Sequence, residues 1–163
     1  EVDLDGLDRI RPDNTRYIKV HKSAELLDLC DFVDMPGISD PNMSSLAWDD
    51  VIAETDAVIW CTHATQAWRQ SEAAARQALP EQIRDRSLLL LTRSDKLIAE
   101  RDRTRVLRRI EQETAGGFRG IYPISLTDAM AAGEDPDLLR DAGAEAFANG
   151  LVALLSDLGS LQR

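Results

Sequence analysis

Three short apolar runs punctuate the chain, and each stops at a polar residue. Leu29-Cys30-Asp31-Phe32-Val33 ends at Asp34, Ala57-Val58-Ile59-Trp60-Cys61 at Thr62, and Leu88-Leu89-Leu90-Leu91 at Thr92. A fourth, weaker run, Gly120-Ile121-Tyr122-Pro123-Ile124, ends at Ser125. Successive ends fall about 30 residues apart, the length of a strand, a crossover helix and a return, so the runs predict successive βα units of a parallel sheet. The second and third runs are apolar without alternation, as strands covered by helices on both faces are. Between them the pattern is helical. Ala67 to Leu79 is alanine-rich and stops at Pro80. Arg101 to Thr114 puts Val106, Leu107 and Ile110 on one stripe before Gly116-Gly117. Phe147, Leu151, Leu154, Leu155 and Leu158 recur at helical spacing, although Asn149-Gly150 weakens the middle of that segment. Upstream, Arg16 to Val20 alternates as a half-exposed strand would, and predicts an antiparallel hairpin with the Leu26–Val33 run. Residues 1–14 read as loosely ordered, and 126–143 as a loop with broken helix. The expected fold is a single α/β domain over residues 1–163, three-layer α/β/α, with a mostly parallel sheet.

Composition narrows the function. The 163 residues are 44% hydrophobic and 29% charged, enough for one core and a polar surface. A net charge of -10 argues against binding nucleic acid or anionic lipid through bulk charge. The arginine run Arg101, Arg103, Arg105, Arg108, Arg109 reads as a solvated helix face. No apolar run approaches the roughly 20 residues that cross a bilayer, and no secretion signal opens the sequence, so the expectation is a cytoplasmic protein without a membrane-binding segment. Cys30 and Cys61, both in apolar runs, read as small buried hydrophobes with reduced thiols. Trp48, Trp60 and Trp68 read as packing residues, and His63 as a solvated loop histidine.

In an open parallel sheet, ligands bind beyond the carboxyl ends of the strands. The residues just past the runs are therefore the candidate site: Asp34-Met35-Pro36-Gly37, then Thr92-Arg93-Ser94-Asp95, then Ser125. A carboxylate such as Asp34 can hold a water of a magnesium ion, which keeps most of its hydration shell. A glycine such as Gly37 lets a backbone N–H approach a terminal phosphate. Asp95 can accept two hydrogen bonds from adjacent N–H donors on the edge of guanine, a pair that adenine lacks. A backbone N–H near Ser125 could meet the guanine carbonyl oxygen.

In this order, Asp-x-x-Gly, Thr-x-x-Asp two βα units later, and a serine at the next strand end resemble the later signature motifs of P-loop GTPases. Arg93 stands where that family has lysine; an arginine can also stack on the base but is not its equivalent. The stretch DAVIWCTHATQAWRQSE, residues 56–72, resembles the strand and helix start of bacterial dynamin-like GTPases, and so does Asp34-Met35-Pro36-Gly37 with its proline before the glycine. Ile38 occupies the place where small signalling GTPases carry glutamine. The resemblance covers roughly residues 17 to 158 by motif order. It implies a GTP-binding, GTP-hydrolysing hydrolase fold of the P-loop type that uses GTP or GDP with Mg2+. Asp34 would serve the metal through water, Gly37 the γ-phosphate, and Thr92, Arg93, Asp95 and Ser125 the base. Trp48 would lie in the segment that moves with the γ-phosphate.

The first motif of that family, Gly-x-x-x-x-Gly-Lys-Ser/Thr, occurs nowhere in the sequence, and Thr15 has no motif to support it as a switch threonine. The expectation is a partial GTPase domain, incomplete at its N-terminus, with weak nucleotide binding and no useful turnover. Its exposed strand edges would be closed by direct pairing of the first and second apolar runs or by self-association. Two rivals stand beside this. One is a pseudo-GTPase or interaction module that keeps the fold without catalysis. The more distant one is a phospho-acceptor receiver domain, which Asp34 and Thr62 fit but which wants a Lys-Pro where Thr92-Arg93-Ser94-Asp95-Lys96 stands.

Overall fold

The computed structural model describes residues 17–37 and 45–161; the expectation for residues 1–14 lies outside them. Three of the four apolar runs form strands: β1 (Val58–His63), β2 (Ser87–Thr92) and β3 (Ile121–Ile124). They lie in the order β1-β2-β3, all parallel. Register pairs Trp60 with Leu89 and His63 with Thr92 across the first junction, and Leu89 with Ile121 and Thr92 with Ile124 across the second. Crossovers between neighbouring parallel strands need a long connection, usually a helix, and each connection here contains one. The helices are α1 (Ser45–Ala53), α2 (Gln70–Ala78), α3 (Glu81–Arg84), α4 (Glu100–Thr114), α5 (Leu126–Ala132), α6 (Pro136–Asp141) and α7 (Ala144–Leu161).

Because successive strand residues face opposite ways, the sheet divides its apolar side chains between two cores. Trp60, Leu89 and Leu91 pack on one face with Ile52 of α1, Ala75 of α2, Ile83 of α3 and Ile110 of α4. Ile59, Leu88 and Tyr122 face the other way, onto Phe147, Leu151 and Leu154 of α7. β2 is the central strand, and Leu88, Leu89 and Leu91 are essentially inaccessible to solvent. Each such leucine contributes about 1.5–3 kcal/mol through burial. Helices therefore cover both faces, as the unalternating apolar runs predict. An aromatic stack seals the first core: the Trp68 ring meets Trp60 edge-on at 6.1 Å and Phe118 at 5.3 Å, and Arg76 lies 4.5 Å over Phe118.

The helix limits follow local chemistry. α2 begins later than the alanine-rich stretch, at Gln70, where Glu72 Oε2 accepts from the Arg69 amide at 2.7 Å. It gives way to extended backbone at Leu79, before Pro80. α4 ends at Ala115, which adopts a left-handed conformation followed by Gly116 at φ 69°. Residues 126–143 are more regular than expected: α5 and α6 are both helical, separated by Gly133, and Asp135 caps α6 by accepting from the amides of Asp137 and Leu138 at 3.0 and 3.2 Å. α7 runs unbroken through Asn149-Gly150, and the Tyr122 ring lies against the helix at Gly150. On α4 the solvated face expected of the arginines holds for Arg101, Arg105 and Arg108, with Arg105 bonded to Asp102. Arg103 is half-buried with its Nε enclosed, and Arg109, beside Glu113, also donates to the Ala67 carbonyl at 2.6 Å.

Several expectations fail. The Leu29–Val33 run is not a strand, and residues 17–20 are not one either. Apart from a 3-10 turn at Glu25–Asp28, residues 17–37 are irregular, and there is no hairpin. Leu29 is 65%, Phe32 46% and Val33 64% exposed. An apolar run becomes a strand only where another strand satisfies its backbone groups, and among the described residues none does. For the same reason β1 does not pair with this run; its described partner is β2 alone. Neither cysteine is a buried hydrophobe: Cys30 is half-exposed, Cys61 exposed, and both are free thiols.

Candidate functional site

The polar groups of interest gather at the carboxyl ends of the three strands. β2 ends at Thr92, and the chain turns sharply through Arg93 at φ 57°, a left-handed residue that throws Ser94–Lys96 into a single 3-10 turn over the strand tip. Ser94 is buried beneath this turn, which leaves Asp95 half-exposed above it. β3 ends at Ile124, and Ser125 caps α5 by accepting from the Asp128 amide at 3.3 Å. β1 ends at His63, whose ring caps a 3-10 turn at Ala64–Gln66. The turns at 64–66 and 94–96 touch each other, and the second also touches β3.

Asp95 and Ser125 are brought together. The Asp95 carboxylate bonds Lys96 Nζ at 2.8 Å. That bond chiefly holds its pKa below the ordinary carboxylate value, against some desolvation, and the nearby Ser125 hydroxyl acts in the same direction. The other base-side residues are present but differently occupied. Thr92 spends its hydroxyl on the Thr62 carbonyl at 3.1 Å, tying the tips of β1 and β2. Thr62 Oγ1 in turn accepts from the Trp68 amide at 3.2 Å, which draws the next loop onto the rim. The Arg93 side chain is exposed. The backbone amide of Ser125 donates to the Ala142 carbonyl at 2.9 Å, so it is not the N–H that meets a base carbonyl.

The phosphate-side residues are less organised. Asp34 and Gly37 are both exposed in the irregular segment, and Gly37 has open space around it. Asp34 nevertheless lies close enough to β1 to act on Cys61: partial desolvation, and then the Asp34 charge, raise that thiol's pKa. Cys61 and His63 are two residues apart on β1 and so share a sheet face. Among the described residues no group of three histidine, cysteine or acidic side chains could hold a metal ion. Trp48, expected in a moving segment, lies in α1, half-buried against the first core.

His63 is the rim residue that sequence reasoning passed over. Its only local signal was its place directly after an apolar run, and a lone loop histidine is normally solvated. No helix among the described residues is long and apolar enough to cross a membrane. Compared with models of protein families, with curated proteins and with solved structures, the chain matches none.

Proposed function

We propose that this chain is the base-recognising part of a guanine-nucleotide-binding domain of the dynamin-like, P-loop GTPase kind, without appreciable hydrolysis through the residues present. The observation that supports it most is the meeting of Asp95 and Ser125 beyond the carboxyl ends of two adjacent parallel strands. That is where open α/β sheets take ligands, and an ionised carboxylate there matches the paired N–H donors of guanine. A carboxylate is ionised and accepting at neutral pH in any case, and the lowered Asp95 pKa extends that state to more acid conditions. Arg93, exposed beside it, is free to lie along the base.

The phosphate side is thinner. Asp34 would reach a magnesium ion through water and Gly37 a phosphate oxygen, but a single exposed carboxylate does not by itself make a metal site. An ion would have to arrive with the nucleotide, and no step is assigned to it. The glycine-rich loop that grips β- and γ-phosphates has no counterpart in this sequence. Binding should therefore be weak and dominated by the base.

Titration with guanosine and adenosine monophosphates, followed by chemical shifts of residues 92–95 and 125, tests this. Saturable shifts with the guanine nucleotide that are lost in Asp95→Asn are expected. Equal response to both bases, or none to either, would overturn the proposal. The bond between Asp95 and Lys96 favours a second reading, an interaction module whose carboxylate is kept for structure. That reading predicts no nucleotide response and a loss of stability in Asp95→Asn.

A further inference from the structure

Resting on the guanine-nucleotide reading, we propose that His63 is a ligand contact whose Nε2–H donates to a phosphate oxygen of the bound nucleotide. Three observations carry it. The first is the tautomer. The Thr65 amide donates to His63 Nδ1 at 3.4 Å, and Thr65 Oγ1 lies 2.9 Å from the same atom. A backbone N–H can only donate, so Nδ1 accepts, and the ring proton of the neutral imidazole is on Nε2. The second is availability. The Nδ1 edge is turned to the loop, Nε2 lies on the other side of the ring without a partner among the described residues, and the side chain is half-exposed. The turn thus presents an oriented, unspent donor.

The third is position along the rim. His63 stands beside Thr92 in register, one strand from the Asp95 turn. Neighbouring strands are about 4.8 Å apart. The Asp34 charge is near enough to act on Cys61, the β1 residue that shares a sheet face with His63. A ligand that extends from Asp95 across the neighbouring strand tip meets His63, since the turns at 64–66 and 94–96 touch. The edge of guanine that Asp95 takes presents donors, which cannot serve Nε2–H; of the acceptors left, guanine O6 and N7 stay on the base beside Asp95, and the phosphate oxygens are the ones that reach farthest from it along the ligand. A charged phosphate oxygen is the strongest acceptor there. Lys96, the neighbouring cation, is already bound to Asp95, and Arg93 is assigned to the base, so His63 supplies a donor for the phosphate.

Guanosine and guanosine monophosphate differ only by the phosphate, and their affinities can be compared by chemical-shift titration in the wild-type chain, His63→Asn and Asp95→Asn. Asparagine is the informative replacement because its carbonyl oxygen can accept from the amide two residues on, as an Asx turn does, and so keeps the Thr65 turn while removing the ring donor. His63→Asn should weaken the monophosphate on the order of tenfold and leave guanosine unchanged. Asp95→Asn should weaken both. If His63→Asn binds the monophosphate as the wild type does, or loses both ligands equally, the phosphate contact is wrong while the base reading stands. If the wild type binds neither ligand, both readings fall.

Discussion

Replacing Gly150 by alanine separates local from tertiary control of this fold. Glycine inside a helix costs about 1 kcal/mol relative to alanine, so helix propensity alone makes Gly150→Ala stabilising. The structure reverses the sign. A Cβ on Gly150 would fall inside contact distance of Oη and Cζ of Tyr122 and within 2.9 Å of Cε1. Phe147 holds the edge of the Tyr122 ring at 5.9 Å between centroids, and Gly120, on which a Cβ would also strike the ring, lies against it as well. Overpacking of this kind costs about 1–3 kcal/mol; with two ring carbons and the hydroxyl oxygen in the way, the upper part of that range applies. Subtracting the propensity gain leaves a net loss of about 1–2 kcal/mol. In a Tyr122→Ala background the obstruction is gone, and the same replacement should stabilise by about 1 kcal/mol. The coupling between the two sites is then about 2–3 kcal/mol. Urea unfolding followed by tryptophan fluorescence measures it, since Trp48, Trp60 and Trp68 all lie outside α7. A higher midpoint for Gly150→Ala in the wild-type background, at unchanged slope, would refute the reasoning.

Single contacts give further expectations. Leu89→Ala, at the centre of β2 with 0% exposure, should lower stability by about 2–5 kcal/mol in the same unfolding assay. Asp135→Ala removes the acceptor for two amides at the start of α6 and should cost about 0.5–2 kcal/mol, seen as faster amide exchange at Asp137 and Leu138. Lys96→Ala should move the Asp95 pKa up toward the ordinary carboxylate value, as read from side-chain carbon shifts against pH. Because the folded-state pKa is the lower one, the Asp95 contribution to stability is present above the unfolded carboxylate pKa and fades as pH falls through the folded value. Lys96→Ala should therefore flatten the acid limb of a stability–pH curve.

At the rim, legibility was divided. The types and order of Asp34, Asp95 and Ser125 stand in the sequence, and so does their place after apolar runs. The use of each group does not. Nothing local reveals that the Ser125 amide is committed to Ala142, that the Thr92 hydroxyl is committed to Thr62, or that Thr65 fixes the His63 ring. These are choices among competing partners, several of them distant along the chain, and only the packed backbone ranks them.

The fold divides in the same way. Local pattern sufficed for β1, β2, α4 and α7, because an apolar run with helical neighbours, or a stripe at helical spacing, has one way to bury itself. It did not suffice for Leu29–Val33, whose composition resembles that of β1. A helix satisfies its own backbone, whereas a strand takes its hydrogen bonds from a neighbour. Whether that neighbour exists is a fact about the assembled sheet, and no single run of residues contains it.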